Sequence, residues 1–167
     1  MRITATPRPS RAGLILADWL TLSAIVVVVL VVSLPRLHCL ALHQNERDAM
    51  QALRLFGGNL HAMERDLTLP TLLEENGELE HRLDDIETLE DGRLLRRHGY
   101  LFDLTRDENG APQIRAWPWS SGETGLGAFI YTADGLQGHP NGEGHWSGPE
   151  AAPVWTPSDS NWRRVER

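Results

Sequence analysis

The feature that most constrains this chain is an apolar stretch near its N-terminus, which runs from Leu14 to Leu34 with Asp18 as its only charged residue. At the rise of an α-helix, about 1.5 Å per residue, this stretch covers roughly 30 Å, the thickness of a bilayer core. In hydrocarbon a single segment satisfies its own backbone hydrogen bonds only as a helix, in spite of its many valines. The sequence therefore predicts one transmembrane helix over residues 14–35.

The residues before this stretch are basic and contain no acid, with arginines at positions 2, 8 and 11. Cytoplasmic flanks of membrane helices carry an excess of arginine and lysine. We therefore expect a single-pass membrane protein with its N-terminus in the cytoplasm. The residues after Pro35 are then expected to lie outside the cytoplasm.

Composition argues against several functional classes. The formal net charge is −7, whereas nucleic-acid binding usually needs a basic surface, so no nucleic-acid partner is expected. Cys39 is the only cysteine, which excludes an internal disulfide and a zinc site built on several thiolates. Because no nucleophile and base pair or phosphate-binding loop stands out, we expect no enzymatic activity, no cofactor and no metal.

Residues 36–67 are predicted to continue as an amphipathic helix. Apolar side chains recur there at spacings of three and four, which places them on one stripe that can pack against a sheet: Ala49, Leu53, Phe56, Leu60, Met63 and Leu67. Capping-box spacing after Pro70 predicts a short helix that starts at Thr71 and ends at Gly77. An acidic amphipathic helix is predicted over Glu78 to Leu89.

From Tyr100 the apolar period changes to two, which indicates strands. The turn dipeptides Asn109-Gly110 and Asp134-Gly135 divide this region into strands at residues 100–105, 113–117 and 126–132, followed by a short fourth. The predicted fold is α+β, with a long N-terminal helix, transmembrane and then amphipathic, packed on a small antiparallel sheet of three to four strands. The globular α+β head is expected to cover residues 68–140.

Residues 141–167 are rich in Gly, Pro and Trp and are expected to form an irregular tail. The sequence leaves open whether Trp146, Trp155 and Trp162 pack onto the sheet or await a partner, although their apolar area favours packing. Polar side chains that could bind calcium or zinc occur in and just before this tail, as an alternative to an ordinary loop: Asp134, His139, Asn141, Glu143 and His145.

Three interpretations of the N-terminal segment are open. A cleaved secretory signal would need a site near Ala41, and a plain signal anchor would have no use for Asp18. The third starts from spacing: after a basic leader ending at Gly13 come Leu14, then Asp18 as the fifth residue after the glycine and Pro35 as the twenty-second. This pattern resembles the N-terminus of type IV pilins and type II secretion pseudopilins, with Leu14 and Asp18 in place of the family's usual phenylalanine and glutamate.

The resemblance implies a specific role for each of these residues. A prepilin peptidase would cleave the leader, residues 1–13, after Gly13 and methylate the new amine of Leu14. The helix would then serve both as membrane anchor and as assembly element, with a kink at Pro35. Asp18 would pair with the ammonium group of Leu14 on a neighbouring subunit, since a buried carboxylate needs a counter-charge.

The function that the resemblance implies is that of a structural, minor pilin-like or pseudopilin subunit of a fibre in a type II secretion or type IV pilus-type machine. Its expected partners are other pilin-like subunits, the prepilin peptidase and the lipid bilayer. The resemblance also implies a location in the inner (cytoplasmic) membrane, with a periplasmic or extracellular head. One alternative is a single-pass, membrane-anchored binding module of the cell envelope that does not polymerise. A less favoured one is a tethered metal-dependent hydrolase that uses His139 and His145.

Overall fold

The computed structural model describes residues 11–59, 68–89, 92–156 and 159–165, with side chains from Asp18 onward except that of Glu80. The chain divides into two units, Met1–Leu40 and Ala41–Arg167. The first contains the apolar part of the N-terminal helix, and the second contains the remaining elements.

Helix α1 extends from Arg11 to Gly57 and contains Pro35 in its interior. It includes a segment that is long and apolar enough to cross a membrane by length and composition, with a mean hydropathy of 2.4 over its most apolar window. Three members of the predicted amphipathic stripe are buried on α1, namely Ala49, Leu53 and Phe56. The other three, at positions 60, 63 and 67, lie outside the described residues, as does the predicted helix over 60–67.

Two short helices follow. Helix α2 covers Leu69–Glu75, and its N-cap is Thr68, whose hydroxyl accepts a hydrogen bond from the backbone N–H of Thr71. The predicted start at Thr71 was therefore two residues later than the observed first residue, Leu69. Helix α3 covers only Gly77–Arg82, so the predicted acidic helix to Leu89 was too long. After Arg82 the chain forms a turn that includes Asp85, whose φ is 64°, and a strand begins at Glu87.

Within the described residues the sheet has seven strands in the order of the sequence, each antiparallel to its neighbours. The strands are β1 (Glu87–Thr88), β2 (Leu95–Arg97), β3 (Tyr100–Arg106), β4 (Pro112–Pro118), β5 (Ala128–Thr132), β6 (Gly135–His139) and β7 (Arg163–Arg164). Strands β3 to β6 are the four that the sequence predicts, with both turn dipeptides where expected. The prediction of three to four strands was wrong in number, because β1, β2 and β7 have only two or three residues and no alternating pattern.

One face of the sheet packs against the second-unit part of α1 and against α2 and α3. Its core contains Leu53, Phe56, Tyr100, Phe102 and Ile114, each at most 1% exposed. The rings of Phe56 and Phe102 lie 6.2 Å apart between their centroids. The α+β class and the packing of a long helix on an antiparallel sheet are thus as predicted.

The opposite face, which we call the outer face, is covered by the C-terminal segment, of which the structure describes residues 140–156 and 159–165. A second buried cluster forms here around Leu101, Trp117, Ile130 and Trp162. The rings of Trp146 and Trp162 stack on each other with centroids 5.4 Å apart. The tryptophans of the predicted tail therefore pack back onto the sheet, and β7 joins its edge.

Candidate functional site

The N-terminal part of α1 contains the four residues that the sequence singles out. Gly13 and Leu14 lie in its first turn, and Asp18 follows four residues after Leu14. Residues four apart lie on the same face of a helix. Leu14 and Asp18 therefore share one face of an uninterrupted helix, on which Pro35 lies 17 residues beyond Asp18.

This part of α1 has an exposed apolar surface. Its large apolar side chains are between 49% and 66% exposed, and they are Trp19, Leu20, Leu22, Ile25, Val26, Val27, Val28, Val29, Leu30, Val31, Val32, Leu34, Leu37 and Leu40. The hydroxyl of Ser23 donates to the backbone oxygen of Trp19 within the same helix, so its polarity is satisfied internally. An apolar surface of this extent calls for a bilayer or other apolar helices around it.

Asp18 is the one acidic residue in this surface. Its side chain is exposed, and it makes no hydrogen bond or ion pair to the part of the chain that the structure describes. A carboxylate that is removed from water without a counter-charge is strongly destabilising. If lipid or other helices surround this part of α1, the carboxylate of Asp18 therefore needs a counter-charge from outside the described part of the chain.

In the second unit, α1 is tied to a loop of the head by hydrogen bonds that the sequence does not reveal. Glu46 accepts two bonds at one carboxylate oxygen, from the backbone N–H of Leu126 at 3.2 Å and of Gly127 at 2.9 Å. The side-chain amide of Asn45 donates to the backbone oxygen of Thr124 at 2.8 Å. The two bonds to the Glu46 carboxylate are charge-assisted, and such bonds are about twice as strong as neutral ones. Together with the bond from Asn45 they hold α1 against the loop 124–127.

Tyr100 holds the same loop from the sheet side. Its hydroxyl, buried at the start of β3, donates to the backbone oxygen of Gly127 at 3.0 Å. Burial raises the pKa of Tyr100 well above its ordinary value, and the negative charge of Glu46 raises it further. The phenol therefore stays protonated and remains a donor.

Because the folded state raises the pKa of Tyr100, the head is expected to lose stability as the pH rises above about 10, where an unfolded tyrosine starts to ionise. Below that pH the contribution is fully present. A Tyr100→Phe variant should show a flatter dependence between pH 9 and 11, at a cost of about 1 kcal/mol for the lost bond. Urea unfolding of the full chain at several pH values measures both effects. Tyr131→Phe, on β5, is the matched control, since it removes a tyrosine hydroxyl that has no part in the bond to Gly127.

A second tie involves His98 in the turn between β2 and β3. Its Nδ1 lies 3.1 Å from a carboxylate oxygen of Asp48 on α1, and its Nε2 lies 3.9 Å from Asp85. The backbone of His98 is in the left-handed region, with a φ of 45°. Asp48 and Glu46 therefore anchor α1 to two different parts of the head, the turn between β2 and β3 and the loop 124–127.

The loop residues considered as metal ligands are used for other contacts. His139 accepts a hydrogen bond at Nδ1 from the backbone N–H of Asn141, and its Nε2 lies 3.6 Å from Asp159. His145 contacts Glu143, and Asn141 bonds to both backbone groups of Trp146. Within the described ranges, no group of three or more His, Cys, Asp or Glu side chains converges as a metal site would require.

Sequence reasoning missed the anchors of α1 for a physical reason. Glu46 and its partners Leu126 and Gly127 are about 80 residues apart in the chain. The pair of Asp103 and Arg115 is similar, since it arises only from the pairing of β3 with β4. No local spacing marks such residues, because periodicity reports only which face of one element is buried.

The chain matches no protein-family model. It likewise shows no significant match to a curated protein or to a solved structure. What the geometry establishes is a long N-terminal apolar helix and, in the second unit, its packing on an antiparallel sheet, an arrangement compatible with a pilin-like fold.

Proposed function

We propose that this chain is a minor pilin-like or pseudopilin subunit, anchored in the inner membrane by α1 and assembled through that helix into a fibre of a type II secretion or type IV pilus-type machine. The observation that carries the proposal is the spacing of Gly13, Leu14, Asp18 and Pro35 along one continuous helix. In this proposal the peptidase cleaves after Gly13, the head lies outside the cytoplasm, and the chain is a substrate rather than a catalyst.

Two features of the molecule support assembly through α1. The exposed apolar surface from Trp19 to Leu40 is large enough to be shared between lipid and neighbouring helices. Asp18 lies within that surface without a described partner, which favours an intermolecular counter-charge. The ammonium group of a processed Leu14 on the next subunit would neutralise it and fix the axial register between the helices.

The decisive experiment is mass spectrometry of the mature N-terminus, with protein isolated from its native membranes. The proposal predicts a chain that begins at Leu14 and carries a methyl group on its amine. A Gly13→Val variant is the matched control, because a branched side chain at the cleavage position should leave the leader attached. An intact Met1, or a start just after Ala41, contradicts the proposal and leaves the non-polymerising anchored module as the better account.

A further inference from the structure

A cavity of about 350 Å³ lies on the outer face of the sheet, between the β3–β4 hairpin and the C-terminal segment. Thr105 on β3 and Gln113 on β4 are cross-strand partners in its wall. Asn109 contributes from the hairpin turn, and Trp155 and Thr156 contribute from the C-terminal segment. This volume lies within the range of sites that bind small molecules in proteins.

The side chain of Gln113 gives this cavity a hydrogen-bond acceptor that lacks a donor. The residue is only 8% exposed, and its side-chain oxygen is shielded from solvent and receives no hydrogen bond from the chain. Native proteins satisfy nearly all such atoms, so an orphaned acceptor beside a cavity indicates a missing donor. A hydroxyl or N–H group that enters the cavity would supply that donor after a small rotation of the amide.

The charges around the cavity favour a neutral ligand. The Nε of Arg115, in the wall, donates to one oxygen of Asp103 at 2.8 Å, and its terminal nitrogens are taken by the other oxygen of Asp103 and by the backbone oxygen of Pro153 at 3.0 Å. The guanidinium group is thus already neutralised. On the rim, the negative charges of Asp107 and Glu108 accompany the positive charge of Arg106, whose Nη1 donates to the backbone oxygen of Gly110 at 3.0 Å. The formal charges of the lining, including Arg115, therefore cancel, and the cavity selects neither an anion nor a cation.

The remaining polar groups are neutral and available. The side chains of Thr105, Asn109 and Thr156 make no hydrogen bond within the described residues. Trp155 is half-buried and packs by part of its ring on the outer-face core. An indole ring beside hydroxyl and amide groups suits a pyranose, whose C–H face is apolar and whose edge carries hydroxyls.

We infer that this cavity binds a neutral saccharide, with the ring of Trp155 against the apolar face of one sugar and Gln113, Asn109 and the two threonines bonding its hydroxyls. This site is independent of fibre assembly, because each residue in it belongs to the outer face of the sheet and its C-terminal cover.

The test uses the full chain in phosphatidylcholine nanodiscs, which contain no sugar headgroup. Three neutral trisaccharides serve as probes, namely triacetylchitotriose, cellotriose and maltotriose, and saturation-transfer NMR titration gives each Kd. We expect saturable binding of at least one. Trp155→Ala should weaken it at least about tenfold, and Gln113→Met, similar in length but without the acceptor, about five- to tenfold.

Two further variants keep the test decisive. Asn109→Ala changes only an exposed turn side chain and should retain the fold while weakening binding about threefold or more. Trp119→Phe is the matched control, because Trp119 does not line the cavity. Its ring centroid lies 4.7 Å from the guanidinium carbon of Arg96 instead, and this variant should bind the probes as the natural chain does. The inference is overturned if none of the three probes binds saturably, or if Trp155→Ala and Asn109→Ala both bind with unchanged Kd.

Discussion

An Asp18→Ala chain is expected to reach the membrane and to be processed after Gly13, yet to be lost from assembled fibres. In the proposed assembly the carboxylate of Asp18 neutralises the ammonium group of Leu14 on the next subunit. Removing one partner of a buried ion pair leaves the other charge uncompensated, at a cost of about 3–5 kcal/mol. That cost corresponds to a loss of association of about a hundredfold or more.

The measurement is the share of the protein that migrates in high-molecular-mass complexes after native electrophoresis of membranes from the host cell. Asp18→Glu should retain assembly, because it keeps the charge and lengthens the side chain by one methylene group. Ser23→Ala is the matched control, since it removes a hydroxyl that bonds to the backbone oxygen of Trp19 within α1 itself. If Asp18→Ala assembles as the natural chain does, then Asp18 has no role in assembly.

Mass spectrometry of the same samples separates two causes of failure. A chain that begins at Leu14 but does not assemble has lost the register contact, whereas a chain that keeps Met1 has failed at the peptidase. Only the first outcome supports the role that we propose for Asp18. The distinction matters because Gly13, Leu14 and Asp18 lie within two turns of one helix.

Much of the fold was predictable because its signals are local. The four longer strands are predicted by the alternation of apolar and polar residues and by the turns at Asn109-Gly110 and Asp134-Gly135. The buried stripe on α1 follows from spacings of three and four. Strands β1 and β7 could not be predicted in the same way, since each has two residues whose conformation depends on pairing with a neighbour.

The candidate sites also differ in whether their residues are close together in the sequence. The spacing of Gly13, Leu14 and Asp18 is visible in the sequence because all three lie on one short segment. The contact of Glu46 with Gly127, and the cavity between Gln113 and Trp155, exist only after distant parts of the chain have met. The tryptophan content favoured packing of the C-terminal segment but left open whether its rings would await a partner, and only the folded sheet shows where they pack.

The largest effect on the stability of the second unit is expected from Gly125→Ala. A Cβ atom at this position would lie well inside the 3.0 Å that real Cβ atoms keep from other heavy atoms, against the ring and hydroxyl of Tyr100. Tyr100 is 0% exposed and cannot move aside without disturbing the core. Overpacking of a core costs about 1–3 kcal/mol, and loss of the bond from Tyr100 to Gly127 adds about 1 kcal/mol.

We therefore expect the midpoint of thermal unfolding to fall by about 10 °C. The measurement is tryptophan fluorescence of the full chain in nanodiscs during heating. Gly142→Ala is the control, because no heavy atom lies within 4 Å of its ideal Cβ, and it should change stability by less than about 0.5 kcal/mol. In a Tyr100→Leu background, which removes the obstructing ring, Gly125→Ala should cost less than about 1 kcal/mol. An equal cost in both backgrounds would show that the loop, and not its contact with Tyr100, requires glycine.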